Sequence, residues 1–257
     1  MKTLVISNEK GGVGKSTIAF HAAHYFAEKG RVLVIDLDQQ QAALTEIMQA
    51  QASETPAIDM FAEPTVPVRR DGITLAARTQ QLDAIEREDL TTMGEAFGAS
   101  LAACAEHYDF VVIDCPPAYG VRCAAALIAA DLTVAPIELQ EASLAAVKNV
   151  VGTISAVHRH FKKPPPDFIR KRPLLVSRFN RHSARQRGLF QDLAEQVGRI
   201  VIDGAVVARD AYARIHAEGK PVWDMRDHRG QTSGAIKEAA TEMRAVLAEC
   251  ERMMGAA

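Results

Sequence analysis

The apolar run TLVIS, Thr3–Ser7, leads into the glycine-rich stretch Gly11-Gly12-Val13-Gly14-Lys15-Ser16-Thr17, and a helical pattern starts at Ser16. No other stretch restricts the fold as much. Backbone N–H groups at such a turn converge on anionic oxygens only where side chains do not obstruct them, and a helix N-terminus adds its dipole. Strand, glycine loop and helix together read as a phosphate site. Lys15 would reach the β- and γ-phosphates, the Ser16 hydroxyl would ligate Mg²⁺, and Thr17 would add a hydroxyl to the α-phosphate. The usual G-x-x-x-x-G-K-[ST] pattern needs glycine where this chain has Glu9, so what remains is K-G-G-x-G-K-[ST]. Lys10 is then a second lysine beside a loop that needs one. It reads either as a surface lysine at a strand end or as a cation aimed at a nucleotide held by a facing subunit.

The rest of the chain repeats the β-α theme. Candidate strands are Thr3–Ser7, Val32–Asp36, Ile73–Ala77, Phe110–Asp114, Leu132–Pro136, Leu174–Arg178 and Ile200–Asp203, separated by longer helical patterns. Such alternation predicts an α/β fold with a mostly parallel sheet flanked by helices on both faces, and the glycine loop makes it P-loop NTPase-like. At 257 residues with 48% hydrophobic content, one domain over 1–257 accounts for the chain. The Ala-, Pro- and Thr-rich stretch Gln49–Asp71 has no clear period and is expected to be a surface excursion with a short helix.

Two acidic clusters complete the phosphate chemistry. VLVIDLDQQ ends a buried strand with Asp36 and Asp38, which period-two alternation points the same way, at the carboxyl end where ligands of open α/β sheets bind. FVVIDCPPAYG is an apolar strand closed by Asp114, an acid suited to meet Mg²⁺ directly or through water. Cys115 follows where many fast ATPases carry a catalytic glutamate, so hydrolysis is expected to be slow unless a partner adds a charge-stabilising group.

These motifs resemble the deviant Walker A ATPases of the ParA/MinD group, whose signature lysine precedes the double glycine. The resemblance implies that Lys10 contacts ATP across a sandwich homodimer, that Asp38 orients the attacking water and that Asp36 sits nearer the magnesium shell. The family pattern D-x-D-P-Q is met by Asp36, Asp38 and Gln40, with Gln39 in place of proline, which leaves the rigidity of that switch segment open. Pro116-Pro117 resembles the second switch segment, Ala135–Val150 the strand and helix that follow it in plasmid-partition ParA proteins, and Ser177–Ser183 the segment near the adenine, with Asn180 as its candidate. Similarity is weakest over residues 49–100.

Charge is distributed unevenly. The chain carries 30 basic and 32 acidic residues, a net of −2, which excludes a global polycation. Yet from His158 to Arg187 ten basic residues (Arg159, Lys162, Lys163, Arg170, Lys171, Arg172, Arg178, Arg181, Arg185 and Arg187) face one acid, Asp167, a local +9. The Lys162–Arg172 part precedes a strand and belongs to the edge opposite the nucleotide; Arg178, Arg181, Arg185 and Arg187 follow it on the ATP edge. With Arg209 and Lys220, from a late segment that resembles ParA proteins, they are the candidates for non-specific, salt-sensitive contact with double-stranded DNA.

The expectation is a ParA-like partition ATPase that binds DNA as an ATP dimer and is stimulated by a ParB-like centromere-binding protein. Met1 leads directly into the first strand, without room for a signal peptide or a helix-turn-helix extension, so a cytoplasmic, nucleoid-associated protein is expected. Rival readings are a ParA-like positioner of another cargo, a MinD-like membrane ATPase and a metabolic ATP-dependent ligase or amidase. The last helix, Ser233–Met254, mixes Lys237, Arg244 and Arg252 with Glu238, Glu242, Glu249 and Glu251, unlike a basic membrane-gripping helix. Cys104, Cys115, Cys123 and Cys250 lack C-x-x-C spacing and read as reduced thiols, and His21 and His24 lack a third metal ligand.

Overall fold

In the computed structural model, which describes residues 1–39, 43–67, 72–141, 143–227 and 229–255, strand and helix alternate along the chain. The elements are β1 (Lys2–Ile6), α1 (Lys15–Ala27), β2 (Val32–Asp36), α2 (Ala43–Ile47), β3 (Ile73–Ala76), α3 (Leu90–Cys104), β4 (Phe110–Asp114), α4 (Val121–Ala129), β5 (Leu132–Glu138), α5 (Ser143–His160), α6 (Phe168–Lys171), β6 (Leu174–Phe179), α7 (Ala184–Val197), β7 (Val201–Val207), α8 (Asp210–Ala213), α9 (Ile215–Glu218) and α10 (Gly234–Gly255). The strands form one sheet in the order β3-β2-β4-β1-β5-β6-β7. Every pairing is parallel. All seven expected strands are present.

The sheet is apolar on both sides because both sides are covered, which is why β2 reads as an unbroken apolar run. One face packs on α1 and α10, with Phe26 stacked on Phe110 at 4.6 Å. The other packs on α3, α4, α5 and α7 through Phe97, Leu127, Ile154 and Leu193. The apolar side of α10 is spent here: Ile236, Met243, Leu247 and Cys250 are buried. Lys2 Nζ and Lys171 Nζ donate to the Met254 and Met253 carbonyls at 2.9 and 3.0 Å, satisfying the orphan carbonyls of its last turn. No described helix is long and apolar enough to cross a membrane.

Two expectations need correction. Residues 49–67 are more than a surface excursion, since the 3₁₀ segment Ala57–Phe61 buries Met60 and Phe61, and Phe61 stacks on Phe97 at 4.8 Å. Too few apolar residues stand there to show a period, although those present reach the core; residues 68–71 and Gln40 lie outside the described residues. Strand β7 runs on to Val207, four residues past its expected end at Asp203. Exposed Asp203 and Gly204 interrupt the apolar pattern, and Gly204, at φ +108°, accompanies register shifts that an edge strand tolerates.

Candidate nucleotide site

Sheet order explains why distant motifs meet. β4 lies between β1 and β2, so Ile6, Asp114 and Asp36 occupy one row at the carboxyl ends of three adjacent strands. The glycine loop leaves β1 at this row. Gly12 and Gly14 have φ of +73° and +93°, and a Cβ at either would meet nothing within 4 Å. Backbone conformation, not space, therefore requires glycine at both. Asn8 anchors the loop's start, donating to the Pro136 carbonyl (2.7 Å) and accepting from Lys10 N (3.0 Å).

Lys15 is buried, and the hydrogen bond it makes, to the Lys10 carbonyl, is long at 3.4 Å. A buried ammonium held this weakly is suited to an anion. Asp114 is buried with both carboxylate oxygens unpartnered among the described residues. Burial first, and then the neighbouring Asp36, push its pKa well above the ordinary carboxylate range; the nearby Ser16 hydroxyl offsets this slightly without closing a hydrogen bond at normal geometry. Open carboxylate oxygens beside a hydroxyl fit a hard divalent cation such as Mg²⁺. Among the described residues no group of three or more His, Cys, Asp or Glu could hold a metal ion.

The switch acids divide their work. Asp36 Oδ1 accepts from Asp38 N (3.0 Å), while Oδ2 accepts from Thr45 N (3.0 Å) and the Thr45 hydroxyl (2.6 Å). Burial raises the Asp36 pKa to about 6, against these hydrogen bonds. Both oxygens of Asp36, expected near the magnesium shell, accept hydrogen bonds that brace the turn carrying Asp38. Asp38 is itself buried at this edge.

Beside the loop opens a cavity of about 720 Å³ lined by Val13, Gly14, Thr17, Ser177, Arg178 and the Val206–Ala213 stretch, among others. Ser177 Oγ is buried there without a partner among the described residues, which fits a polar group of a ribose or base. Asn180, the candidate from sequence, is instead exposed and accepts from His182 N at 3.0 Å to shape its own turn. Arg178 donates to the Gly12 carbonyl at 2.9 Å from a backbone at φ +51°, a conformation that costs a non-glycine residue on the order of 1 kcal/mol. That guanidinium serves the loop.

The remaining DNA candidates separate. Arg181, Arg185 and Arg187 are exposed; the first two pair with Glu238 (2.7 Å) and Glu141 (2.8 Å), and the third donates to the Arg181 carbonyl (2.9 Å). Lys220 is exposed as well. Arg209 is the exception, 11% exposed and held by Glu242 at 2.6 Å and Glu238 at 3.0 Å. His21 is buried between the Thr17 carbonyl (Nδ1, 2.6 Å) and the Val222 N–H (Nε2, 3.2 Å), a structural role.

A family model described as an AAA domain matches residues 1–164. Protein IncC of Escherichia coli is 35% identical over 259 residues, covering 96% of this chain and 68% of that protein. The chain belongs to the ParA/MinD-type P-loop ATPases. Among solved structures, a putative plasmid partition protein of Borrelia burgdorferi bound to AMPPNP aligns with a TM-score of 0.73 at 21% identity, covering 96% of this chain and 99% of that one. A McdA variant of Cyanothece in complex with ATP aligns with a TM-score of 0.77 at 20% identity, covering 99% and 96%. At such identities these two establish the ParA-type fold alone.

Sequence reasoning missed Thr45, Arg78 and Arg122; it named Ser177–Ser183 as the segment near the adenine but chose Asn180 there rather than Ser177. Arg122 carried a signal: it is the one charge in the otherwise apolar helix VRCAAALIA, where a buried partner is required.

Proposed function

We propose that this ParA-type ATPase acts in plasmid or chromosome partition, forming an ATP-dependent sandwich homodimer that binds double-stranded DNA non-specifically. One observation carries the reading. Lys15 is buried beneath the glycine loop while Lys10 is exposed on its outer rim, so the two lysines point to different phosphates, one in this chain and one in a second copy. The loop amides and Lys15 hold the ATP phosphates, and Ser16 and Asp114 are the residues that would hold Mg²⁺. When bound, the ion neutralises charge on the β- and γ-phosphate oxygens. Asp38 orients the attacking water, steadied by Asp36. Cys115 is a buried thiol whose pKa is raised by Cys123 and by burial, so it offers no base, and turnover is slow until a ParB-like partner supplies the missing stabilisation.

DNA contact falls to exposed Arg181, Arg185, Arg187 and Lys220, with Arg209 as a brace behind them. Such a protein works in the cytoplasm on the nucleoid. The deciding experiment is binding to random-sequence duplex DNA with ATP, ADP or no nucleotide, titrated with salt, for wild type, Lys10→Ala and Arg185→Ala. Binding only with ATP, weakened by salt and by both substitutions, is the expected result. Equal binding in all three nucleotide states, or none, overturns the partition reading.

A further inference from the structure

The turn that carries Asp38 is fastened from outside by a set of contacts that lie away from the glycine loop. Gln39, which stands where the family pattern has proline, donates from Nε2 to the Gln80 carbonyl at 2.9 Å. Proline has no such side chain. Arg78 Nη1 donates to the Gln39 carbonyl at 2.8 Å, and Arg78 N donates to the Thr45 hydroxyl at 3.2 Å, the same hydroxyl that grips Asp36. On the other side of Asp38, Arg122 Nη1 donates to the Leu37 carbonyl at 3.2 Å.

Arg122 is buried and anchored in turn. Its Nε donates to Glu86 Oε1 at 2.6 Å and its Nη2 to Asp83 Oδ1 at 3.2 Å, while Glu86 Oε2 accepts from Val121 N at 2.6 Å. Glu86 thus joins the 3₁₀ segment Gln80–Arg87 to the start of α4. It lies so close to Gly120 that a Cβ there would stand 1.8 Å from its carboxylate oxygen and would displace it. The start of α4 and the turn that carries Asp38 are therefore both tied to the Gln80–Arg87 segment.

We propose that Gln39 and Arg122 are positioning residues, which fix the backbone on either side of Asp38 to the Gln80–Arg87 segment and so set where its carboxylate stands. The inference rests on the reading that Asp38 directs a water at ATP. Fixing a group that meets the reacting water changes turnover, because misplacement by about 1 Å costs on the order of 100-fold. It leaves nucleotide affinity nearly untouched, since neither residue lines the glycine loop.

The test compares wild type, Gln39→Ala and Arg122→Ala by three readouts: amide exchange at Asp38 and Thr45 without nucleotide, Kd for ATP, and kcat at saturating Mg²⁺-ATP. Gln39 is half-buried at the surface, so its variant serves if the loss of buried Arg122 prevents folding. Expected are amide exchange faster by about tenfold and kcat lower by about tenfold, with Kd within about twofold of wild type. Unchanged exchange and kcat in a folded Gln39→Ala protein overturn the positioning role while leaving wild-type ATPase activity standing. A parallel loss of Kd and kcat also overturns it, as a general structural effect. A wild-type protein that binds no ATP is a separate failure, that of the nucleotide reading, and the proposal falls with it.

Discussion

The Lys10 ammonium stands 3.0 Å from the Glu138 carboxylate of its own chain, on the outer rim of the glycine loop. The two side chains are 43% and 28% exposed, and a pair of that kind contributes at most about 1 kcal/mol. For Lys10 to reach a nucleotide in a second copy, this contact must open. Glu138→Gln is therefore expected to strengthen ATP-dependent dimerisation by no more than about fivefold, and Lys10→Ala to abolish it. Sedimentation velocity with and without ATP reads both. Unaltered dimerisation in Lys10→Ala would remove the lysine from the interface.

Asp114 pays for its readiness to meet a cation with two buried, unpartnered oxygens next to Asp36. Asp114→Asn removes the cost of burying that carboxyl group, and of holding it beside Asp36, in the metal-free protein. Its melting midpoint without Mg²⁺ is expected to rise, by the equivalent of about 1–3 kcal/mol, while the further rise that Mg²⁺-ATP gives wild type disappears. Thermal melts in EDTA and in Mg²⁺-ATP separate the two effects. A fall in the metal-free midpoint would contradict the account.

His21 accepts from Val222 N–H through Nε2 and so must donate from Nδ1 to the Thr17 carbonyl, which fixes the neutral tautomer. Burial lowers its pKa from 6.5 to about 4. Between those values the unfolded chain binds a proton that the native state refuses, so this residue's contribution is full above 6.5 and is lost as pH falls towards 4. The loss reaches about 3 kcal/mol. Asp36, raised to about 6, acts in the opposite sense, since its protonated form suits the native state at low pH. The measurement is therefore the difference in urea stability between wild type and His21→Gln at pH about 7 and about 4.5, expected to shrink with acid.

Arg209 and Arg185 both entered as DNA candidates, and their surroundings predict opposite costs. Arg209→Ala leaves Glu242 without its cation while exposed Glu238 keeps Arg181, a loss of about 1–2 kcal/mol. Arg185 is 68% exposed, and its removal is expected to change stability by less than about 0.5 kcal/mol while weakening DNA binding. Urea melts beside a DNA titration check both. An Arg185→Ala protein with wild-type DNA affinity excludes that arginine from the surface.

The phosphate side of the site was legible because it depends on local chemistry. Gly12, Gly14, Lys15 and Ser16 lie within one turn, and Asp36 and Asp114 close apolar strands whose parallel order follows from alternation with helices. Arg122 and Glu86 were not legible. Their pairing joins a helix start to a 3₁₀ turn 36 positions away, in a stretch whose period is too short to read. Arg209 shows the same limit from the other direction: its charge was visible in the sequence, but the carboxylates of α10 that neutralise it come from 29 and 33 positions further along.

The cavity beside the glycine loop has walls from both ends of the chain, Val13–Ile18 on one side and Ser177–Ala213 on the other. The family model ends at residue 164, before the second wall begins. The glycine-loop wall thus lies inside the matched segment and the Ser177 wall outside it, while the similarity to Protein IncC runs over 96% of this chain. A cavity walled in this way takes shape only when both parts of the fold have come together.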